Sequence, residues 1–111
     1  MKLKFAIAGI AIAAAGLGLA APAQADPDTD FANELHTYGI YGQKDYNAWI
    51  GKIACKRIYT GVDPDAAKSA QFISNQLQRG QNSTEQSYQF LAAALRTYCP
   101  EKLSILLPAE Q

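Results

Sequence analysis

Two cysteines are the side chains best suited to covalent chemistry in this sequence. Cys55 lies in "IGKIACKRIYTG", residues 50–61, beside Lys56 and Arg57, and Cys99 lies far downstream in "RTYCPE". Cationic neighbours lower a thiol pKa and sharpen a nucleophile, but catalysis also needs a positioned base and an oxyanion site. His36 is the only histidine, and nothing in the spacing brings it to Cys55. Zinc asks for ligands at short intervals, and two distant cysteines with one histidine match no such spacing. A disulfide asks only that the two sulfurs can meet.

The choice among these turns on compartment. The chain opens "MKLKFAIAGIAIAAAGLGLAAPAQADP", with Lys2 and Lys4 ahead of an apolar run from Phe5 to Ala21 and then Ala23-Gln24-Ala25. This pattern predicts a cleavable secretory signal helix over residues 1–25, cut between Ala25 and Asp26. Ala and Gly make the run weakly apolar and no basic stop-transfer cluster follows, so membrane contact is expected only through the uncleaved signal. A secreted or cell-envelope protein meets an oxidising environment, where two cysteines in one small domain pair. The expectation is a Cys55–Cys99 disulfide.

Loss of residues 1–25 leaves eight basic against ten acidic residues, a net charge near −2. That balance offers no basic field for nucleic acid. So short a chain buries a limited core and gains much from a covalent tie. A bridge closing about 45 residues contributes at most about 4 kcal/mol in the chain-entropy account.

Apolar residues recurring at three and four predict four helices, hence an all-α, four-helix bundle-like domain with one disulfide. The first runs from about Asp28 to Tyr38, with Gly39-Ile40 as its C-terminal cap. The second, about Lys44 to Tyr59, spreads apolar residues around most of its circumference and is expected at the centre. The third, about Pro64 to Arg79, starts with Asp63 as cap and Pro64 in the first turn, and its thin apolar stripe predicts a peripheral place. The fourth runs to about Cys99, opens on a Ser83/Gln86 capping box and groups Tyr88, Leu91, Ala92, Leu95, Tyr98 and Cys99 on one face. The helical domain is expected over 26–103, with a short tail, 104–111, whose Ile105, Leu106 and Leu107 join Leu103 in covering the bundle's end. Ala48, Gly51 and Cys55 share one arc of the second helix, small enough to let a neighbouring backbone approach for the bridge.

The run "ADPDTDFANELHTYGI" after the export signal, then the Gly51, Cys55 and Gly61 spacing, then "TYCP", together resemble a family of small secreted proteins known from mycobacteria, carrying domain of unknown function 732. The resemblance covers nearly all of the chain after the signal, from Asp26 to about Leu103. It implies an exported helical domain with paired cysteines and brings no established activity.

The remaining polar residues have structural explanations. A lone histidine at a helix's polar edge, such as His36, faces solvent more often than it ligates. Asp63 and Asp65 are accounted for by capping and dipole complementarity. Asn82-Ser83-Thr84 fits a glycosylation sequon and a helix start alike. No catalytic, metal or cofactor site is expected. Aromatic residues are the exception: Tyr38, Tyr41 and Tyr46 flank the first turn, with Trp49 one turn on. They predict either rims of the bundle or a cleft for an unknown protein partner or a small apolar ligand, haem included. The sequence thus reads as a binding or interaction module and not an enzyme.

Overall fold

The computed structural model describes residues 26–107. The expected signal helix, with Ala25 on one side of its cut, lies outside the described residues. Four α-helices and a final 3-10 helix follow one another: α1 (Pro27–His36), α2 (Lys44–Tyr59), α3 (Ala66–Gln76), α4 (Thr84–Tyr98) and the 3-10 helix Pro100–Leu106. Among the described residues there are no strands. The architecture is all-α, as the apolar spacing requires.

Local chemistry sets each boundary. The Asp26 carboxylate accepts from the Asp28 amide at 3.2 Å, Pro27 fills the first turn, and Asp28 and Asp30 place negative charge at the positive end of the α1 dipole. α1 ends where Gly39 turns to φ +78° and the Ile40 amide donates back to the Leu35 carbonyl at 3.0 Å, which drives Ile40 wholly into the core. At the start of α4, Ser83 Oγ accepts from the Gln86 amide at 3.0 Å and Gln86 Oε1 from the Ser83 amide at 3.1 Å, completing the expected capping box.

The third helix corrects the sequence reading. Asp65, not Asp63, caps it, accepting from the Lys68 amide at 2.9 Å, and the helix begins at Ala66, two residues beyond Pro64. Asp63 is instead buried, 2 % exposed, and binds both Arg57 Nε at 2.9 Å and Arg57 Nη2 at 3.0 Å. It also accepts from Ser69 Oγ at 3.2 Å. A carboxylate that can satisfy a guanidinium and a buried hydroxyl outcompetes one that would cap a single exposed amide.

The centre of the bundle is α4, which packs on α1, α2, α3 and the 3-10 helix. Phe90, Leu91, Ala93, Ala94 and Leu95 are all fully buried, so its apolar face is wider than the stripe drawn through Tyr88 and Ala92. The sequence placed α2 at the centre, but Trp49 and Tyr46 on that helix face outward. Nor is α3 peripheral, since it packs on both α2 and α4 and buries Ser69, Ala70 and Ile73. The tail is an element in its own right: Leu103, Ile105 and Leu106 pack from the 3-10 helix against the core, while Leu107 is exposed.

Cys55 and Cys99 form a disulfide with Cα atoms 6.1 Å apart and both residues buried. Gly51 serves a different close approach from the one expected. A β-carbon there would lie 3.0 Å from Tyr98 Cε2 and 3.2 Å from the ring of Phe31. Two aromatic rings, not a neighbouring backbone, occupy the space that the glycine leaves. Phe31 in turn meets Phe90 and Tyr98 edge-on, at ring separations of 5.2 and 5.3 Å.

Candidate ligand-binding groove

The turn between α1 and α2 builds a groove from backbone constraints upward. After buried Ile40 the chain emerges at Tyr41, whose amide donates to Gln81 Oε1 at 2.9 Å, and Gly42 follows at φ +123°. Asn47, buried in the first turn of α2, donates from Nδ2 to the Tyr41 carbonyl at 3.4 Å and pins the turn from below. Opposite, α3 stops at Gln76, three residues before the expected Arg79, because Leu77 turns to extended backbone. Leu77 and Gln78 therefore run across the start of α2.

Between these walls lies a groove of about 170 Å³, lined by Tyr41, Gln43, Tyr46, Gln76, Leu77 and Gln78, with Gly42 and the buried Asn47 also against it. Tyr46 spans it, its hydroxyl reaching the Gln76 carbonyl at 3.4 Å. The Trp49 ring lies beside Tyr46 at a centroid separation of 6.0 Å and is 55 % exposed, so a large apolar surface is left to solvent at the groove's end. His36 is exposed, as the sequence suggested, and its ring lies 5.1 Å from that of Tyr41.

Of the four aromatic residues singled out in the sequence, Tyr41 and Tyr46 line the groove and Trp49 adjoins Tyr46 at its edge. Tyr38 lies apart: its hydroxyl donates to Glu34 Oε2 at 2.6 Å on the α1 surface, where Arg96 also pairs with Glu34. That hydrogen bond to a carboxylate, with burial, raises the Tyr38 pKa. The sequence reading missed Gln76, Leu77 and Gln78. A helix continued to Arg79 hides the extended backbone at Leu77 that brings these residues to the groove, although Gly80, at φ +86°, marks the turn that follows.

A second polar cluster joins α1 to the far end of α4. Burial, and then the hydrogen bond that its hydroxyl donates to Asp28 Oδ1 at 2.7 Å, push the Tyr98 pKa up. Lys52 lies over the same ring and 3.5 Å from Asp28 Oδ2. A phenol with its folded pKa raised above the unfolded value of about 10 contributes stability that is complete below about pH 10 and is lost as pH rises toward the folded value. Thermal melts between about pH 8 and about pH 12 should show this alkaline fall, and Tyr98→Phe should make it shallower. Parallel curves for the two proteins would exclude Tyr98 as its source.

Among the described residues, no three His, Cys, Asp or Glu side chains gather to hold a metal, and no helix is long and apolar enough to cross a membrane. Fold and groove define the class: a small all-α domain, tied by one disulfide, with an uncharged aromatic groove on its surface. The chain belongs to the family described as "Protein of unknown function (DUF732)", whose model matches residues 27–101. It is similar to the uncharacterized proteins Rv0559c and MT0585 of two Mycobacterium tuberculosis strains, H37Rv and CDC 1551. Each is 51 % identical over 81 residues, covering 73 % of this chain and 71 % of the relative. No solved structure matches the chain.

Proposed function

We propose that this protein is an exported binding module, working outside the cytoplasm or at the cell envelope, which recognises its ligand through the Tyr41–Tyr46–Trp49 groove and catalyses no reaction. The observation that carries the reading is the exposure of Tyr41 and Tyr46 in one groove, with exposed Trp49 beside Tyr46, on a frame fixed by caps and a buried bridge. A buried disulfide fits an oxidising compartment, and the signal-like first 25 residues fit the same destination. Haem suits the groove poorly. Ligand sites that bury drug-sized molecules span about 300–1,000 Å³, and a porphyrin would lie mostly outside this one.

Trp49 is the chain's single tryptophan and, beside Tyr46 at the groove's edge, reports on it through that neighbour. A fluorescence screen of the oxidised protein against a fragment library should yield ligands that shift Trp49 emission. Tyr46→Ala should weaken those ligands by about tenfold, the loss of one aromatic contact of about 1.4 kcal/mol. Its melting temperature should be close to that of the parent, since Tyr46 is exposed. Ligands whose binding is indifferent to Tyr41, Tyr46 and Trp49 together would place recognition elsewhere.

A further inference from the structure

The chemistry of the groove goes beyond the presence of aromatic rings, and an inference about its ligand rests on the reading just given. No charged side chain lines it, so neither an anion nor a cation finds a counter-charge there. Beside Tyr41 and Tyr46 stand the amides of Gln43, Gln76 and Gln78, none of which makes a side-chain hydrogen bond to any described residue. Each offers two donors and an acceptor in one plane. A purely apolar, planar ligand would strip water from these amides and return nothing, which disfavours it.

We propose that the groove takes a single ring of a neutral saccharide. Such a ligand has two kinds of surface. Its equatorial hydroxyls, each both donor and acceptor, pair with amides two at a time, whereas its C–H face is apolar and slightly electropositive and lies against the electron-rich face of an aromatic ring. Tyr41, Tyr46 and the neighbouring Trp49 supply the faces, and the three glutamines supply the amides. The volume, about 170 Å³, is below that of a drug-sized site and accommodates one ring, a free monosaccharide or one unit of a longer glycan. An uncharged lining also explains why the net charge of the domain says nothing about its ligand.

The test is a set of titrations of the oxidised protein, produced from the full chain and labelled for amide NMR. The probes are the methyl glycosides of glucose, galactose, mannose and N-acetylglucosamine, with 1-naphthol and a proline decapeptide as competing chemistries. The expected result is millimolar binding of at least one glycoside, moving the side-chain amide signals of Gln43, Gln76 and Gln78 and the Trp49 indole N–H. Tyr46→Ala and Gln78→Leu, both at exposed positions, should each weaken that glycoside by about tenfold while 1-naphthol, if it binds at all, responds only to Tyr46→Ala. Binding of 1-naphthol or the decapeptide in the groove with no response to any glycoside overturns the saccharide assignment and leaves the groove as a binding site. Silence of these residues toward every probe overturns both.

Discussion

Replacing Cys55 and Cys99 together by alanine is expected to lower stability by about 3–4 kcal/mol. The bridge spans a sequence separation of 44 and so encloses α3 and all of α4. The entropy denied to the unfolded chain by a loop of about 45 residues corresponds to about 4 kcal/mol, from which native strain subtracts. A domain of this size has a total stability of about 4–12 kcal/mol, so the loss is a large share. The melting temperature should drop by about 12–32 °C at about 4–8 °C per kcal/mol. Reduction of the parent protein should produce a fall of similar size. A drop of less than about 5 °C would mean that packing around α4 alone holds the fold.

The Arg57–Asp63 pair carries the second large effect, and its two halves should not be equivalent. Asp63 is 2 % exposed, whereas the Arg57 side chain is 33 % exposed and also stacks over the Phe72 ring at 4.2 Å. Removing the arginine strands a buried carboxylate. Removing the carboxylate strands a guanidinium that can turn to water, together with the buried hydroxyl of Ser69. Arg57→Leu should therefore cost about 3–4 kcal/mol and Asp63→Ala about 2 kcal/mol, the latter reduced because solvent reaches the remaining charge. The double variant should lose less than the sum, because neither charge is then left alone. Urea unfolding of the four proteins measures this directly. Equal single effects that simply add would show that the pair is electrostatically idle and that the loss is one of packing.

That ion pair marks where the sequence stopped being legible. Caps that depend on neighbours a few residues away were readable: Ser83 with Gln86, Gly39 with Ile40, and the full extent of α2 were all evident from local pattern. The bridge was readable too, because a signal-like N-terminal pattern together with two cysteines leaves few other outcomes. Asp63 was not, because its partner Arg57 lies across a turn whose geometry the sequence does not state, and a local cap at Pro64 was the simpler reading. The central place of α4 escaped for a related reason. Ala93 and Ala94 carry little apolar weight in a periodicity, yet both are fully buried, since their small size lets neighbouring helices close on that helix. The groove was half legible. Its aromatic residues and Gln43 stand close in sequence, but the other two glutamines that give it chemical character, Gln76 and Gln78, come from the end of α3 and the turn after it, more than two dozen residues downstream.

The account depends most on the chain reaching an oxidising compartment and closing its bridge there. Intact mass of the protein recovered outside the cytoplasm, before and after alkylation without reductant, tests both at once. The expected species begins at Asp26, is lighter than the dithiol form by the two thiol hydrogens, and takes up no alkyl group. A species retaining the first 25 residues, with Cys55 and Cys99 both alkylated, would contradict it.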